Sequence, residues 1–283
     1  MIAAKPTSDF AKVRAELEAE FSPRAVRAKE RYAPGISHEY IGGVRCMVVS
    51  PPNTASDAVV LYAFGGGFVS GSPEFELPIV LHLAQACHIK FVLPYYSLAP
   101  EFPYPTALNE MALVYAELSD KTRGQVVLSG ESAGGGLVLS LLPHIQRTGL
   151  PAPLAFSLFS PWLDLTETGL SEADRVTDPT IDCAFLREAA RAYCGSKAVA
   201  NLSALQLVRD MDLPPLYLSS GTRDIMRPTL ERFASQCQIQ AARVTLKVWP
   251  DMWHVFELYD DTAHASAALD EAAAFLATAL NGH

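Results

Sequence analysis

The sequence lacks the surplus of lysine and arginine that nucleic acids and anionic membranes attract. It has 22 Lys and Arg against 31 Asp and Glu, which gives a formal net charge of −9 at pH 7. Binding to phosphate backbones or to acidic lipid surfaces depends on clustered positive charge. We therefore expect neither a nucleic acid nor a membrane surface among the partners of this protein.

The sequence also lacks cysteine patterns and long apolar runs. Its five cysteines are odd in number and include no C-x-x-C pair, which argues against a disulfide framework and a cysteine-based metal site. The N-terminal segment turns charged without the apolar core of a secretion signal. No apolar run approaches the ~20 residues of a membrane span. We expect a soluble, cytoplasmic protein with free thiols and without a bound metal or cofactor.

What the sequence does contain is enough apolar material for one large folded unit. Hydrophobic residues make up 49% of the chain, which argues against disorder. Short apolar runs alternate with helix-like segments, a pattern typical of crossover connections on a mostly parallel sheet. Predicted strands lie at 40–49 (a hairpin), 59–64, 91–95, 126–129, 155–159, 214–219 and 244–248, and predicted helices at 77–87, 108–118, 133–145 and 265–280.

The N-terminal segment predicts helical structure ahead of the first strand. Apolar residues recur at spacings of three and four, which places them on one helix face: Phe10, Val13, Leu17 and Phe21. Pro23 is expected to interrupt this helix, and a second helical stretch to continue after it.

Two domain expectations follow from this pattern. We expect residues 1–35 to form a small helical cap segment over a pocket, with a merely packed extension as the alternative, and residues 36–283 to form the α/β domain. The polar stretch over 163–196 interrupts the strand–helix alternation and predicts an insertion beside the functional site.

The sharpest motif is G-x-S-x-G at residues 130–134, with Ser132 at its centre. It follows the predicted strand at 126–129 and precedes a predicted helix, which is the context of a nucleophile elbow. Such an elbow forces the serine backbone into a strained conformation, so neighbouring side chains must be small. Ser132 is the candidate nucleophile, with an ordinary serine in a glycine-rich turn as the alternative.

A second glycine cluster, Gly65-Gly66-Gly67, follows the predicted strand at 59–64. Glycines let a backbone point its N–H groups at a developing negative charge. We expect Gly65 and Gly66, together with the N–H of Ala133, to form an oxyanion hole. A phosphate-binding loop is the alternative, but the G-K-[ST] that such a loop needs is absent.

A serine nucleophile needs a general base, and in this topology the base follows the last strands of the sheet. His254 comes shortly after the predicted strand at 244–248 and is the candidate base. The competitors fit less well, because His144 lies in the helix after the nucleophile, His264 starts the closing helix and His283 is terminal.

The base in turn needs an acid that fixes its tautomer. Asp224 follows the predicted strand at 214–219 by a short loop and is the candidate. Asp210 and Asp212 precede that strand and so belong to the opposite end of the sheet. Asp251 stays open as a competitor because it lies close to His254 in sequence.

These residues together carry a family resemblance over roughly residues 35 to 280. The matching stretches are F-G-G-G-F-V-S-G-S at 64–72, Y-S-L-A-P-E-F-P-Y-P at 96–105, G-E-S-A-G-G at 130–135, S-P-W-L-D-L at 160–165, L-P-P-L at 213–216, G-T-R-D at 221–224 and W-H-V-F at 253–256. The chain resembles the hormone-sensitive-lipase-like group of esterases, the bacterial family IV carboxylesterases. The matching stretches agree with the family pattern in order and spacing as well as in residue type.

The resemblance implies an eight-stranded α/β-hydrolase fold, with helices on both faces of a mostly parallel sheet and an N-terminal helical cap. It implies a cofactor-free carboxylesterase that acts on short-chain esters or small lactones through Ser132, Asp224 and His254. A homodimer formed through the edge strand or the last helix is also implied.

Two positions depart from the family pattern, and several others are candidates for the pocket wall. Phe64 stands where the family usually has a histidine that holds the oxyanion loop, and Ser97 stands where an arginine is common. Aromatic and sulphur-containing residues near the motifs are expected to line the substrate pocket: Phe64, Phe68, Trp162, Met252 and Trp253.

Three functions compete at this point. The first is hydrolysis of an ester, or of a lactone by the same chemistry. The second is a non-catalytic ligand-binding protein on the same fold, because fold does not fix function. The third is an acyltransferase, in which an alcohol other than water takes the acyl group.

Overall fold

The computed structural model describes residues 9–32, 35–54, 57–166, 178–239, 242–259 and 262–281. In these ranges eight strands form one sheet, in the order β1-β2-β4-β3-β5-β6-β7-β8. The strands are β1 (Gly35–Ile41), β2 (Val44–Ser50), β3 (Val59–Ala63), β4 (Lys90–Pro94), β5 (Val126–Glu131), β6 (Phe156–Phe159), β7 (Leu216–Gly221) and β8 (Val244–Trp249). The first two strands form the predicted hairpin, and all neighbours from β4 onward pair in parallel. The predicted α/β-hydrolase fold class is confirmed.

The helices lie between the strands as the alternation requires. They are α1 (Phe10–Tyr32), α2 (Leu77–Cys87), α3 (Thr106–Lys121), α4 (Ser132–Leu139), α5 (Leu142–Thr148), α6 (Cys183–Cys194), the short α7 (Ala204–Leu207), α8 (Arg227–Ile239) and α9 (Ala263–Asn281). The single helix expected at 133–145 is divided into α4 and α5, and Pro143 stands in the first turn of α5, where a missing N–H costs little. The helix α8 was not predicted from the sequence.

The expected break at Pro23 does not occur, because α1 is one continuous helix of 23 residues with this proline inside it. The Asp9 side chain accepts hydrogen bonds from the N–H groups of Ala11 and Lys12 and so caps its first turn. Tertiary contacts hold α1 against the domain, since Arg14 pairs with Glu101 through two hydrogen bonds of 2.8 Å.

Two apolar cores lie on the two faces of the sheet. Because successive side chains of a strand point to opposite faces, Leu61 and Leu128 enter one core while Val60 and Val127 enter the other. The first core is completed by α3, α4, α6 and α8, and the second by α1, α2 and α9. The strands between them read as near-continuous apolar runs because both of their faces are covered.

This topology determines where functional residues gather. The parallel strands β3, β5, β7 and β8 all have their carboxyl ends at one edge, and the loops that follow carry the candidate residues. Within the expected insertion at 163–196, α6 lies next to this edge, whereas residues 167–177 fall outside the described residues. The described helices include none that is long and apolar enough to cross a membrane. All five cysteines are free thiols.

A close approach between α4 and β3 yields a prediction about stability. A Cβ at Gly134 would lie 2.1 Å from the carbonyl oxygen of Ala63 and 2.3 Å from that of Phe64, and these backbone atoms cannot move aside. We expect Gly134→Ala to lower the free energy of unfolding in urea by at least about 3 kcal/mol, at the upper end of overpacking costs. Gly149→Ala is the control, because a Cβ there meets nothing within 4 Å although φ is +69°. It should cost only about 1 kcal/mol for its left-handed backbone, and equal losses in the two variants would contradict the packing argument.

Candidate active site

Ser132 lies at a strained turn between β5 and α4. Its φ is +49°, in the left-handed region that residues other than glycine rarely adopt. Two neighbouring glycines make room for the turn, since a Cβ at Gly130 would lie 2.6 Å from the carbonyl oxygen of Ala63. The turn places the Ser132 side chain at the N-terminal end of α4, where the helix dipole favours negative charge.

The structure brings the candidate nucleophile, base and acid into one hydrogen-bonded chain. The Nε2 atom of His254 lies 2.9 Å from Oγ of Ser132, and its Nδ1 atom lies 3.0 Å from Oδ1 of Asp224. All three residues are buried. A base between a hydroxyl and a carboxylate, at these distances, is the arrangement that serine nucleophiles require.

Local hydrogen bonds fix the Asp224 carboxylate as an acceptor. The N–H of Met226 donates to Oδ1 at 2.9 Å and the hydroxyl of Ser220 donates to Oδ2 at 2.7 Å. Burial by itself would raise the pKa of Asp224, but the charge of His254 and these hydrogen bonds hold it below its ordinary value. Asp224 therefore stays ionised and can stabilise an imidazolium.

The same contacts shift the pKa of His254 in the opposite direction. Burial by itself would lower the pKa of His254, but the carboxylate of Asp224, with smaller contributions from Asp178 and Glu131, raises it to about 9. His254 is thus a stronger base than an ordinary histidine, whose pKa is 6.5.

Asp178, which sequence reasoning missed, supports this chain from the loop before α6. Its Oδ2 accepts the N–H of Ile225 at 3.1 Å and the N–H of His254 at 3.2 Å, so one carboxylate ties the acid loop to the base loop. Asp178, Asp224 and His254 lie close enough to hold a metal ion, but each already has hydrogen-bond partners that account for its position. The Asp178-Pro179 dipeptide was the only signal in the sequence, and a turn explains it equally well.

The competing histidines and aspartates lie elsewhere. His264 lies in α9 with its ring against Trp249, and His144 lies beside Arg147 in α5. Asp251 is exposed and uses its N–H to contact Thr222, whereas Asp210 and Asp212 are exposed at the other end of β7. His283 falls outside the described residues.

The glycine loop after β3 lies against the nucleophile and against Glu131. A Cβ at Gly65 would lie 2.2 Å from both carboxylate oxygens of Glu131, so this position has no room for a side chain. The carbonyl of Gly66 accepts hydrogen bonds from the N–H and hydroxyl of Ser70, which holds the loop in place. Gly65, Gly66, Gly67 and Ser132 all line one cavity. Gly65 and Gly66, the expected oxyanion donors, therefore both lie in the loop that lines the cavity containing Ser132.

Phe64 does not line this cavity as the sequence suggested. Its ring stacks on Tyr96 with centroids 3.9 Å apart and planes 7° from parallel, and its carbonyl accepts the Tyr96 hydroxyl at 2.6 Å. This pair holds the loop without the usual histidine. At position 97, where the family often has an arginine, the N–H and hydroxyl of Ser97 each donate to Glu110 at 2.6 Å.

The other four predicted pocket residues also lie outside the cavity lining. Phe68 stacks on Tyr193 at 3.8 Å between centroids, and the Nε1–H of Trp162 donates to the carbonyl of Asp164 inside the core. Met252 and Trp253 pack in a separate cluster against α9. These residues are apolar and near the motifs in sequence, but their side chains fill the core that supports the loops.

The cavity above Ser132 has a volume of about 550 Å³ and is lined largely by segments that the motifs did not include. One wall is formed by α1, through Val13, Leu17, Glu20 and Phe21. Another part of the lining comes from the residues around the start of α6, including Ile181 and Phe185. Among the described lining residues there is no lysine or arginine, whereas Glu20 and Asp182 are acidic.

Comparison with known proteins agrees with this architecture. The family described as alpha/beta hydrolase fold matches residues 60–258. The protein LipR of Mycobacterium tuberculosis is 32% identical over 224 residues, covering 77% of this chain and 72% of that protein. An acetyl-hydrolase of Streptomyces hygroscopicus is 29% identical over 233 residues, covering 81% and 78%.

Solved structures extend the likeness to almost the whole chain. An esterase from the bacterial hormone-sensitive lipase family superposes with a TM-score of 0.88 at 27% identity, covering 98% of this chain and 94% of that one. A hormone-sensitive lipase from a metagenome library gives the same TM-score and coverage at 26% identity. Fold, motif positions and relatives agree, and the chain belongs to the α/β-hydrolase fold family, in its hormone-sensitive-lipase-like group.

Proposed function

We propose that this protein is a carboxylic ester hydrolase that acts on neutral, short-chain esters through an acyl-enzyme on Ser132. The observation that supports it best is the hydrogen-bonded chain from Ser132 through His254 to Asp224, which opens into a cavity of about 550 Å³. The relatives named as an acetyl-hydrolase and an esterase support the same reaction class.

The reaction proceeds in two balanced halves. Oγ of Ser132 attacks the ester carbonyl while Nε2 of His254 takes its proton, and the resulting imidazolium then protonates the departing alkoxide. The C–O bond of the ester breaks and the acyl group stays on Ser132. Water then attacks this acyl-enzyme, with His254 as base again, and releases the acid and the free serine. Asp224 stabilises the imidazolium in both halves.

The oxyanion of each tetrahedral intermediate needs N–H donors beside Ser132. Ala133 occupies the first turn of α4, and Gly65 and Gly66 lie in the loop that lines the same cavity. We assign these three N–H groups as the donors, because the loop and the start of α4 both border Ser132. Their enclosure in a buried site makes each donor worth more than it would be in water.

The cavity lining favours neutral substrates with a small acyl part. Leu17, Phe21, Phe75 and Leu258 give it apolar walls. Glu20 and Asp182 add negative charge, and the described lining includes no lysine or arginine to pair with an anionic substrate. An ester that carries its own carboxylate is therefore a poor fit.

Replacing the nucleophile gives the first prediction about this function. Ser132→Ala should lower kcat for p-nitrophenyl acetate by about 10⁶-fold, since the whole covalent route is lost, while the melting temperature stays near that of the wild type. Hydrolysis is followed by p-nitrophenolate release, and a fluorophosphonate probe should label only the wild type. A wild-type protein that folds but neither hydrolyses esters nor labels would favour the ligand-binding alternative.

The raised pKa of His254 gives the second prediction. His254 must be neutral to accept the serine proton, so kcat/KM should rise with pH and level off only above a pKa of about 9. Asp224→Asn removes the main cause of the upward shift, so the rise should move to lower pH while kcat falls by about 10⁴-fold. A wild-type profile that is already level at pH 6.5, the ordinary pKa of histidine, would contradict the proposed environment.

The α1 wall gives the third prediction. Leu17→Trp adds bulk inside the cavity and should lower kcat/KM for p-nitrophenyl octanoate by at least about tenfold, with a smaller effect on the acetate. Val26→Trp, on the same helix at a residue that is 54% exposed, is the matched control and should leave both substrates unchanged. Equal losses on the two esters in Leu17→Trp would show that α1 does not set acyl chain length.

A further inference from the structure

Two glutamates lie side by side beneath the glycine loop, and the mechanism above uses neither as an acid or a base. Glu131 ends β5 directly before the nucleophile, and Glu76 stands directly before α2. Each is only 3% exposed, and both line the cavity that contains Ser132 and His254. The Glu76 side chain makes no capping hydrogen bond to α2, so helix capping does not explain its burial.

The contacts of this pair require a proton between its members. The two carboxyl groups are hydrogen-bonded to each other, and two ionised carboxylates offer only acceptors. The hydroxyl of Tyr62 donates to Oε2 of Glu76 at 3.4 Å, and the Glu131 carboxylate packs against the backbone of Gly65. The consistent assignment gives the proton to Glu76, which donates it to the Glu131 carboxylate.

The surroundings offer little charge to offset a second ionisation. Among the described residues, the titratable groups that act on the pair are Tyr62 from β3, Tyr96 from the loop after β4 and His254 from the loop after β8, while Glu257, from the turn beyond that loop, acts on Tyr62. Among these only His254 can become positive, and Glu257 would add negative charge. Like charges that share a buried site cannot both ionise at neutral pH.

We propose that Glu76 is a positioning residue: a neutral carboxylic acid that holds the Glu131 carboxylate and, through it, the Gly65 end of the oxyanion loop. The inference rests on the proposed function for its effect on turnover. The chain of contacts runs from the Tyr62 hydroxyl to Glu76, from Glu76 to Glu131 and from Gly65 to Glu131. It ties β3, α2 and the nucleophile elbow to the loop whose amides face the oxyanion.

The pKa shifts of the two glutamates agree in direction with a proton on Glu76. Burial and the neighbouring Glu131 carboxylate raise the pKa of Glu76 well above its ordinary range, and burial raises the pKa of Glu131 to about 7. A group whose pKa is higher in the folded than in the unfolded protein contributes stability at low pH and loses it as pH rises through the folded value. Loss of the shared proton at alkaline pH should therefore weaken both the loop and the fold.

Two variants of Glu76 separate this role from mere packing. Glu76→Gln keeps the shape and an N–H donor towards Glu131 but has no proton to lose. It should keep kcat within a few-fold at neutral pH and lack the fall of kcat that we expect for the wild type at pH values above the rise set by His254. Glu76→Ala removes the donor and should lower kcat by about 100-fold, the scale for loss of an oxyanion donor, with little change in KM. Glu117→Gln, at a half-buried carboxylate that pairs with Lys121, is the control and should behave as wild type.

A readout that needs no substrate completes the experiment. Infrared difference spectra at neutral pH should show that Glu76→Gln loses the C=O stretch of one protonated carboxylic acid, whereas Glu117→Gln retains it. The melting temperature of the wild type should fall between neutral and alkaline pH more than that of Glu76→Gln. An unchanged band, or an alkaline fall of kcat that persists in Glu76→Gln, would overturn the proposal. If the protein hydrolyses no ester, the proposed function fails, and the infrared and thermal measurements still decide the state of the carboxyl pair.

Discussion

The site depends on the strained backbone of Ser132, whose φ of +49° is held by the packing of α4 against β3. Strain of this kind costs of order 1–3 kcal/mol and persists only when the surroundings fix it. Here Gly130 and Gly134 allow the elbow to approach the carbonyl oxygen of Ala63 more closely than any side chain would permit. The same approach puts the glycine loop after β3 beside the nucleophile, so one packing contact positions both the attacking oxygen and the amides that face it.

The second constraint is the concentration of buried carboxyl groups around a single imidazole. Asp224, Glu131 and Asp178 all act on His254 and raise its pKa. Nearby, burial raises the pKa of Glu257 to about 7, and the Glu257 carboxyl accepts a hydrogen bond from the Ser219 hydroxyl. Burying several carboxylates without cations is costly, so most of them must be hydrogen-bonded, protonated or paired with the histidine. The arrangement favours a positive imidazolium at the moment of proton transfer and disfavours anionic substrates.

The motifs predicted backbone features better than they predicted side-chain directions. G-x-S-x-G and the three glycines after β3 are signals about steric room, and the structure places both where the strand ends require. Phe64, Phe68 and Trp162 were expected in the pocket because they are aromatic and adjacent to motifs, yet they fill the core. Their rotation depends on partners such as Tyr96 and Tyr193, which lie 32 and 125 residues away along the chain from Phe64 and Phe68. Pro23 shows the same limit of local sequence patterns. The contacts of α1 stabilise the helix by more than the one hydrogen bond that this proline cannot donate.

The sequence by itself determined the α/β class, the strand positions and the identity of Ser132, Asp224 and His254 as candidates. These follow from local periodicity, from the glycines that a tight turn demands and from the order of loops at one sheet edge. Only the tertiary structure decided that α1 walls the cavity, that Asp178 ties the acid and base loops together, and that Glu76 meets Glu131 under the glycine loop. Such contacts join segments far apart in the chain, and the free energy of burying a charge depends on neighbours that no local pattern records.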